Sequence, residues 1–173
     1  MGSRAPQEPQ LPPPLGGIVV DGANVTATST VFADRRLDLA VQWCRCWRPD
    51  LRVVVFLDSA TLGRCAPAAR ARLQQRFAGD AAGDAAGTGV VYIVSPRGTP
   101  ADALLLRRAG AESALVVSND RFADHQELRR GVLTVQFECA GDDFAPYAEA
   151  TWFTPAGGAT RVPMAVLRGG PPG

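Results

Sequence analysis

Two rhythms of apolar and polar positions alternate along this chain. Short runs rich in β-branched residues, at 17–20 (GIVV), 51–57 (LRVVVFL), 90–94 (VVYIV), 114–117 (ALVV) and 132–137 (VLTVQF), read as buried strands. Between them the spacing turns helical. In Asp34–Trp47 the apolar positions are Leu37, Ala40, Val41, Cys44 and Trp47, with Arg and Asp between. Pro67 suits a first helical position and predicts a helix through Phe77. Residues 102–109 read as a helix stopped by Gly110, and 122–130 as a short helix closed by Gly131.

Strands that alternate with helices build a parallel sheet covered on both faces. The expected fold class is therefore α/β: a doubly wound three-layer sandwich around a central five-stranded parallel sheet. Its ligand crevice should open at the carboxyl ends of the strands, where strand order reverses. One domain is expected over 16–155. A Pro-rich leader (1–15) precedes it, expected first to be a disordered lead-in, with a ligand for a proline-binding module as the alternative. A Gly/Pro-rich tail (156–173) follows, whose apolar run at 162–167 could dock as an extra strand.

Composition narrows the chemistry. The 173 residues carry a net charge of +1, which excludes a histone-like polycation. All 18 basic residues are Arg, so lysine chemistry is excluded, and the single His125 excludes any mechanism that needs two imidazoles. The four Cys, at 44, 46, 65 and 139, match no zinc spacing and read as reduced thiols that help fill the core. No apolar run approaches the ~18 residues of a membrane span, and the N-terminus lacks a signal peptide's apolar stretch. The expectation is a soluble protein of the cytoplasm or nucleus, with no membrane partner; whether it pairs with a second copy of itself stays open.

The carboxylates carry the functional signal. Asp21 ends the first strand, Asp58 the second, and Ser118-Asn119-Asp120 the fourth; Asp102 opens the helix after the third, and Asp124 follows Asp120 by four residues. All project to one edge of the sheet, and Asp120 and Asp124 can share a face of one helical turn. Acids gathered without cations repel each other unless a divalent ion joins them, and oxygen ligands suit Mg²⁺ or Mn²⁺. Such a site fits metal-dependent phosphodiester cleavage. Asn24 can orient a carboxylate or a phosphate, and the hydroxyls of Thr99 and Ser118 can support the ligands or touch substrate. Arg97 and Arg121 flank the site in sequence and can hold phosphates, as can Arg35, Arg36 and Arg64. Each Asp taken alone reads first as a helix N-cap or an Asx-turn, Asp58 above all; it is Asp21, Asp102, Asp120 and Asp124 taken jointly that read as a site. Asp142 and Asp143 read as a turn. Asp80 and Asp84, in the GDAA repeat, read as solvated loop carboxylates at the opposite end of the sheet. Arg107, Arg108, Arg129 and Arg130 read as helix-end residues that favour their own dipoles.

Three segments together resemble the NYN branch of the PIN-like nucleases, and most of all its Regnase-type ribonuclease domain. They are Val19-Val20-Asp21-Gly22-Ala23-Asn24-Val25, Thr99-Pro100-Ala101-Asp102 and the run from Val116 to Asp124, VVSNDRFAD. The resemblance covers about residues 16–150. It implies Mg²⁺-dependent endonucleolytic cleavage of RNA, with Asp21, Asp102 and Asp120 as metal ligands and Asp124 a ligand directly or through water. It implies a structural or phosphate-orienting part for Asn24. Family members often carry two adjacent acids where this chain has Asp102-Ala103, and no CCCH zinc finger is present. The expected reaction is attack by a metal-activated water that leaves a 3′-hydroxyl and a 5′-phosphate. The rival from another class is a degenerate domain that binds RNA or a protein without cutting. An aspartyl-phosphate phosphohydrolase is disfavoured, since the second acid it wants two residues after Asp21 is Ala23.

Overall fold

The computed structural model describes residues 11–27, 34–80 (77–80 in backbone only) and 89–169. In chain order the elements are β1 (Gly17–Asp21), α1 (Gly22–Thr26), α2 (Asp34–Trp47), β2 (Val53–Asp58), α3 (Ser59–Arg64), α4 (Pro67–Asp80), β3 (Val90–Ser95), α5 (Ala101–Glu112), β4 (Ala114–Val117), a 3₁₀ turn (Ala123–His125), β5 (Leu133–Glu138), β6 (Ala145–Phe153), β7 (Ala159–Pro163) and α6 (Met164–Leu167). The sheet runs β3-β2-β1-β4-β5-β6-β7. Its first five strands are parallel, as the β/α alternation predicts.

Side-chain alternation splits the core in two. On one face Ile18 and Val20 of β1 pack with Leu37, Ala40 and Cys44 of α2, Leu73 of α4 and Leu167 of α6. On the other, Val19, Val54 and Val116 pack with Leu105, Leu106 and Ala109 of α5. The central strands β1 and β4 are buried on both faces, which is why they read as unbroken apolar runs. No helix among the described residues is long and apolar enough to cross a membrane.

Four expectations differ from what is found. The sheet continues past residue 155: β6 and β7 pair antiparallel to β5 and to each other. The extra strand is Ala159–Pro163, while 164–167 is helical, because Pro163 stands at the helix N-cap. The first half of β6, APYAE, shows no apolar alternation, and Pro146 sits beside a register shift where a proline is tolerated. Second, α5 runs through Gly110 to Glu112 and closes on Ser113 in the left-handed region, φ 50°. One glycine costs about 1 kcal/mol; the Arg108–Glu112 ion pair and buried Leu105, Leu106 and Ala109 hold the helix together across it.

Third, 122–130 is not a helix beyond its single 3₁₀ turn. Phe122 is forced to φ 49° while its ring is buried among the α5 contacts, and its N–H donates to Asp120 Oδ1 at 2.7 Å in an Asx-turn. That local bond competes with helix initiation. Fourth, only Cys44 and Cys65 fill the core; Cys46 and Cys139 are exposed, and all four are free thiols. Residues 1–10 of the leader and Asp84 lie outside the described residues, as does the side chain of Asp80. Asp143 N–H donates to Ala140 O at 3.0 Å, forming the expected turn.

Candidate active site

Strand order reverses between β1 and β4, which are hydrogen-bonded neighbours although β2 and β3 lie between them in the chain. Such a reversal opens a crevice at the carboxyl ends of the two strands. Asp21 stands at the end of β1 and Ser118 just after β4. The next residue, Gly22, lets α1 begin against β2: a Cβ there would lie 2.7 Å from Phe56 O and 2.9 Å from Leu57 Cδ2. Only glycine permits that approach, and it pins Asp21 as the N-cap of α1.

Asp21 is 7% exposed. Its Oδ1 accepts from Asn24 N–H at 3.0 Å, the cap bond, and its Oδ2 accepts from the Ser118 hydroxyl at 2.8 Å. Ser118 Oγ in turn accepts from Asp120 N–H at 3.1 Å. One hydroxyl therefore ties the carboxylate of β1 to the backbone that carries Asp120. Asn24 Oδ1 accepts from Asn119 N–H at 2.9 Å, and Asn119 Oδ1 accepts from Phe137 N–H at 2.8 Å. These amides clamp the loop after β4 between α1 and β5. The sequence assigned no task to Asn119; the available signal was an Asn directly after a strand, a residue type that bonds neighbouring backbone.

The electrostatics follow from this burial. Asp21 is pushed up to about 6, first by desolvation and further by the negative charges of Asp102 and Asp120; its two hydrogen bonds oppose the shift. Asp102, at the N-terminal turn of α5, is also raised, by desolvation and then by Asp120, with Asp58 adding to it and His125 opposing. No Arg pairs with Asp21, Asp58, Asp102 or Asp120 among the described residues. The cluster is therefore an uncompensated pocket of hard oxygen donors, a donor chemistry suited to Mg²⁺ or Mn²⁺. Its side chains as they stand are not drawn together around one point: no group of three or more His, Cys, Asp or Glu is placed to hold a metal ion among the described residues.

The fold thus brings Asp21, Asn24, Asp102, Ser118 and Asp120 to one edge. Asp124 is exposed on the 3₁₀ turn and shares no helical face with Asp120; in that turn it is His125 that acts on Asp102. Thr99 lies in the turn closed by its N–H to Pro96 O, and Arg97 is exposed on the same loop; no hydrogen bond joins either to the carboxylates among the described residues. Asp58 caps α3, with Oδ1 accepting from Thr61 N–H and Oδ2 from the Thr61 hydroxyl at 2.6 Å. Arg36 is no phosphate holder. It is buried and donates to Val25 O and Ala27 O at 3.2 Å and to Gly141 O, bracing the end of α1. With no helix at 126–130, Arg129 has no dipole to serve; it donates to Arg121 O at 2.7 Å and lies 4.6 Å from the Phe153 ring centroid.

No family model matches the chain, and no curated protein does. Solved structures sharing its fold include a crystal structure of nuclear proteinaceous RNase P 2 from A. thaliana. It aligns over 75% of this chain and 29% of its own, with 18% identity and a TM-score of 0.53. A structure of Arabidopsis thaliana nuclear protein-only RNase P 2 aligns over 82% of this chain and 34% of its own, with 15% identity and a TM-score of 0.55. The chain spans about a third of the length of those structures. At this identity the likeness is one of fold alone, a mostly parallel α/β sheet with helices on its faces; it carries no particular closeness to the Regnase-type branch.

Proposed function

We propose that this chain is a metal-dependent endoribonuclease domain. One observation carries the reading: the Asp21–Ser118–Asp120 bridge, a buried carboxylate held at about 6 beside two further acids, at the strand-order reversal. A carboxylate whose pKa is raised by burial and like charges in a crevice is a functional-site candidate. The shared fold with an RNase P supports RNA as the substrate class. The Asp21-Gly22-Ala23-Asn24 and Ser118-Asn119-Asp120 segments are what liken it to Regnase-type domains.

Asp21, Asp102 and Asp120 would hold Mg²⁺ or Mn²⁺, with Asp124 reaching it through water. The ion, when bound, supplies a water of lowered pKa and offsets charge on the phosphodiester. The protein's part is positional. Ser118 aims one oxygen of Asp21, Asn24 N–H fixes the other, and the Asn24–Asn119 bond sets the height of Asp120. Asp102 and Asp120 must turn inward to share an ion, a change the repulsion between unmetallated carboxylates opposes and a dication favours.

The test mixes purified chain with single-stranded RNA and Mn²⁺. Cleavage should stop with EDTA and with Asp21→Asn or Asp120→Asn, while circular dichroism shows each variant folded. Cutting that survives EDTA or both substitutions overturns the mechanism. A second reading, an RNA-binding domain that does not cut, is favoured by Ala103 and by the absence of a gathered metal cluster among the described residues. It predicts RNA binding without heat on Mn²⁺ titration by calorimetry.

A further inference from the structure

One face of the sheet is roofed unevenly. Helix α5 covers β2, β1 and β4 on the face of Val19 and Val116. Beyond β4 the same face carries no helix among the described residues, because 122–130 forms only a 3₁₀ turn. On β5, β6 and β7 this face presents Thr134 and Gln136, Thr151 and Phe153, and Ala159 and Arg161, each pair two residues apart. The opposite face of these strands is core, with Leu133, Val135, Ala150, Trp152 and Val162.

A cavity of about 230 Å³ opens on this face, which no helix covers beyond β4 among the described residues. Asp120, Arg121, Arg129 and Arg161 all line it. None of the three arginines pairs with a carboxylate among the described residues. Arg129 is held in place by Arg121 O and the Phe153 ring, so its guanidinium is positioned in advance. Cations left unpaired beside an acidic cluster call for an anion from outside.

We propose that this cavity holds the phosphodiester backbone of the RNA strand immediately beside the position presented to Asp21 and Asp120. The inference rests on the nuclease reading and names its substrate track. A strand brings one charge per nucleotide to an edge whose acids repel it. The neighbouring phosphates need a cationic surface continuous with that edge, and the wall shared with Asp120 supplies one. Arg161 and Arg129 belong to elements the sequence pattern did not foresee, an antiparallel strand and an irregular loop.

The experiment measures anisotropy of a fluorescein-labelled single-stranded RNA on the full chain in EDTA, so that nothing is cut, across a series of salt concentrations. Arg121→Ala with Arg161→Ala should weaken binding about tenfold and lower the salt slope by about 1.4, the loss of two strand phosphates at ~0.7 each. Both side chains are exposed, so the fold should persist. Arg107→Ala, on the outer side of α5, should leave affinity and slope unchanged. Unchanged binding in the double variant, or an equal loss with Arg107→Ala, overturns the track while leaving cleavage by the wild type to stand. RNA bound through these arginines but never cut overturns the nuclease reading and spares the track. No binding by the wild type overturns the track, while cleavage in Mn²⁺ decides the nuclease reading separately. Polyglutamate displacing the RNA as well as unlabelled RNA does would assign the cavity to acidic peptides instead.

Discussion

The carboxyl ends of β1 and β2 obey the same local grammar. Each strand finishes on an Asp, each Asp is the N-cap of the helix that starts at the next residue, and each accepts from the N–H three residues on. The second oxygen separates them. Asp58 spends it on the Thr61 hydroxyl of its own helix, whereas Asp21 takes the Ser118 hydroxyl from the neighbouring strand. Asp21 lies at 7% exposure beside β4, where strand order reverses; β2 is flanked by strands that follow the same direction of winding. A cap and a site are thus not alternatives. Asp21 is both, and what adds the second role is the neighbour that strand order supplies.

The largest effect that should separate the two ends is on cleavage. Asp21→Asn removes a charge expected to provide several kcal/mol to a metal-bearing site, so RNA cutting should fall by at least ~10²-fold. Asp58→Asn should leave the rate within a few-fold in the same Mn²⁺ assay. Equal losses would erase the distinction.

Stability against pH gives the next contrast. Folded Asp21 titrates at about 6 against an ordinary 3.8, so the folded chain holds this proton more tightly than the unfolded chain does. The stability it contributes is complete below about 3.8 and is lost as pH rises through about 6, roughly 3 kcal/mol at ~1.4 kcal/mol per pKa unit. In EDTA, the wild type's stability relative to Asp21→Asn, read from urea melts, should therefore decline between pH 4 and pH 7. A flat difference would show that Asp21 is not desolvated as described.

Ser118→Ala sharpens the comparison at its distinguishing bond. Losing a residue that orients a ligand costs about 10–100-fold. Because that hydroxyl holds the Asp21 pKa down, its removal should also move the acid limb of the pH–rate profile upward. Thr61→Ala, the corresponding change at Asp58, should not move the limb. The smallest effect is local: Asp58→Ala should cost about 1 kcal/mol of unfolding free energy in urea, the usual worth of an N-cap, with no change in metal response.

How far could all this be read in advance? The five parallel strands were legible because their apolar runs are short, β-branched and bounded by turn residues. The carboxylates at their ends were legible because a parallel sheet aligns every strand's exit on one edge. The antiparallel pair β6 and β7 was not, since APYAE carries no two-residue alternation and the inward positions Ala150, Trp152 and Val162 straddle a turn. Asp124 is a helical neighbour of Asp120 only if 122–130 is a helix, and the Asx-turn at Asp120 removes that register. Arg36 reads as a rim cation from sequence; its two terminal guanidinium nitrogens are instead spent on carbonyls of Val25, Ala27 and Gly141, the last more than a hundred residues away.

Local pattern settled the fold class and nominated the acids, because residue periodicity and strand-end placement are properties of short stretches of chain. Which Asp became a buried, raised carboxylate and which stayed a helix cap belonged to packing. So did the row of arginines over an uncovered sheet face. Both depend on which strand lies beside which and on what leaves a face bare, and those are contacts between residues far apart in the chain.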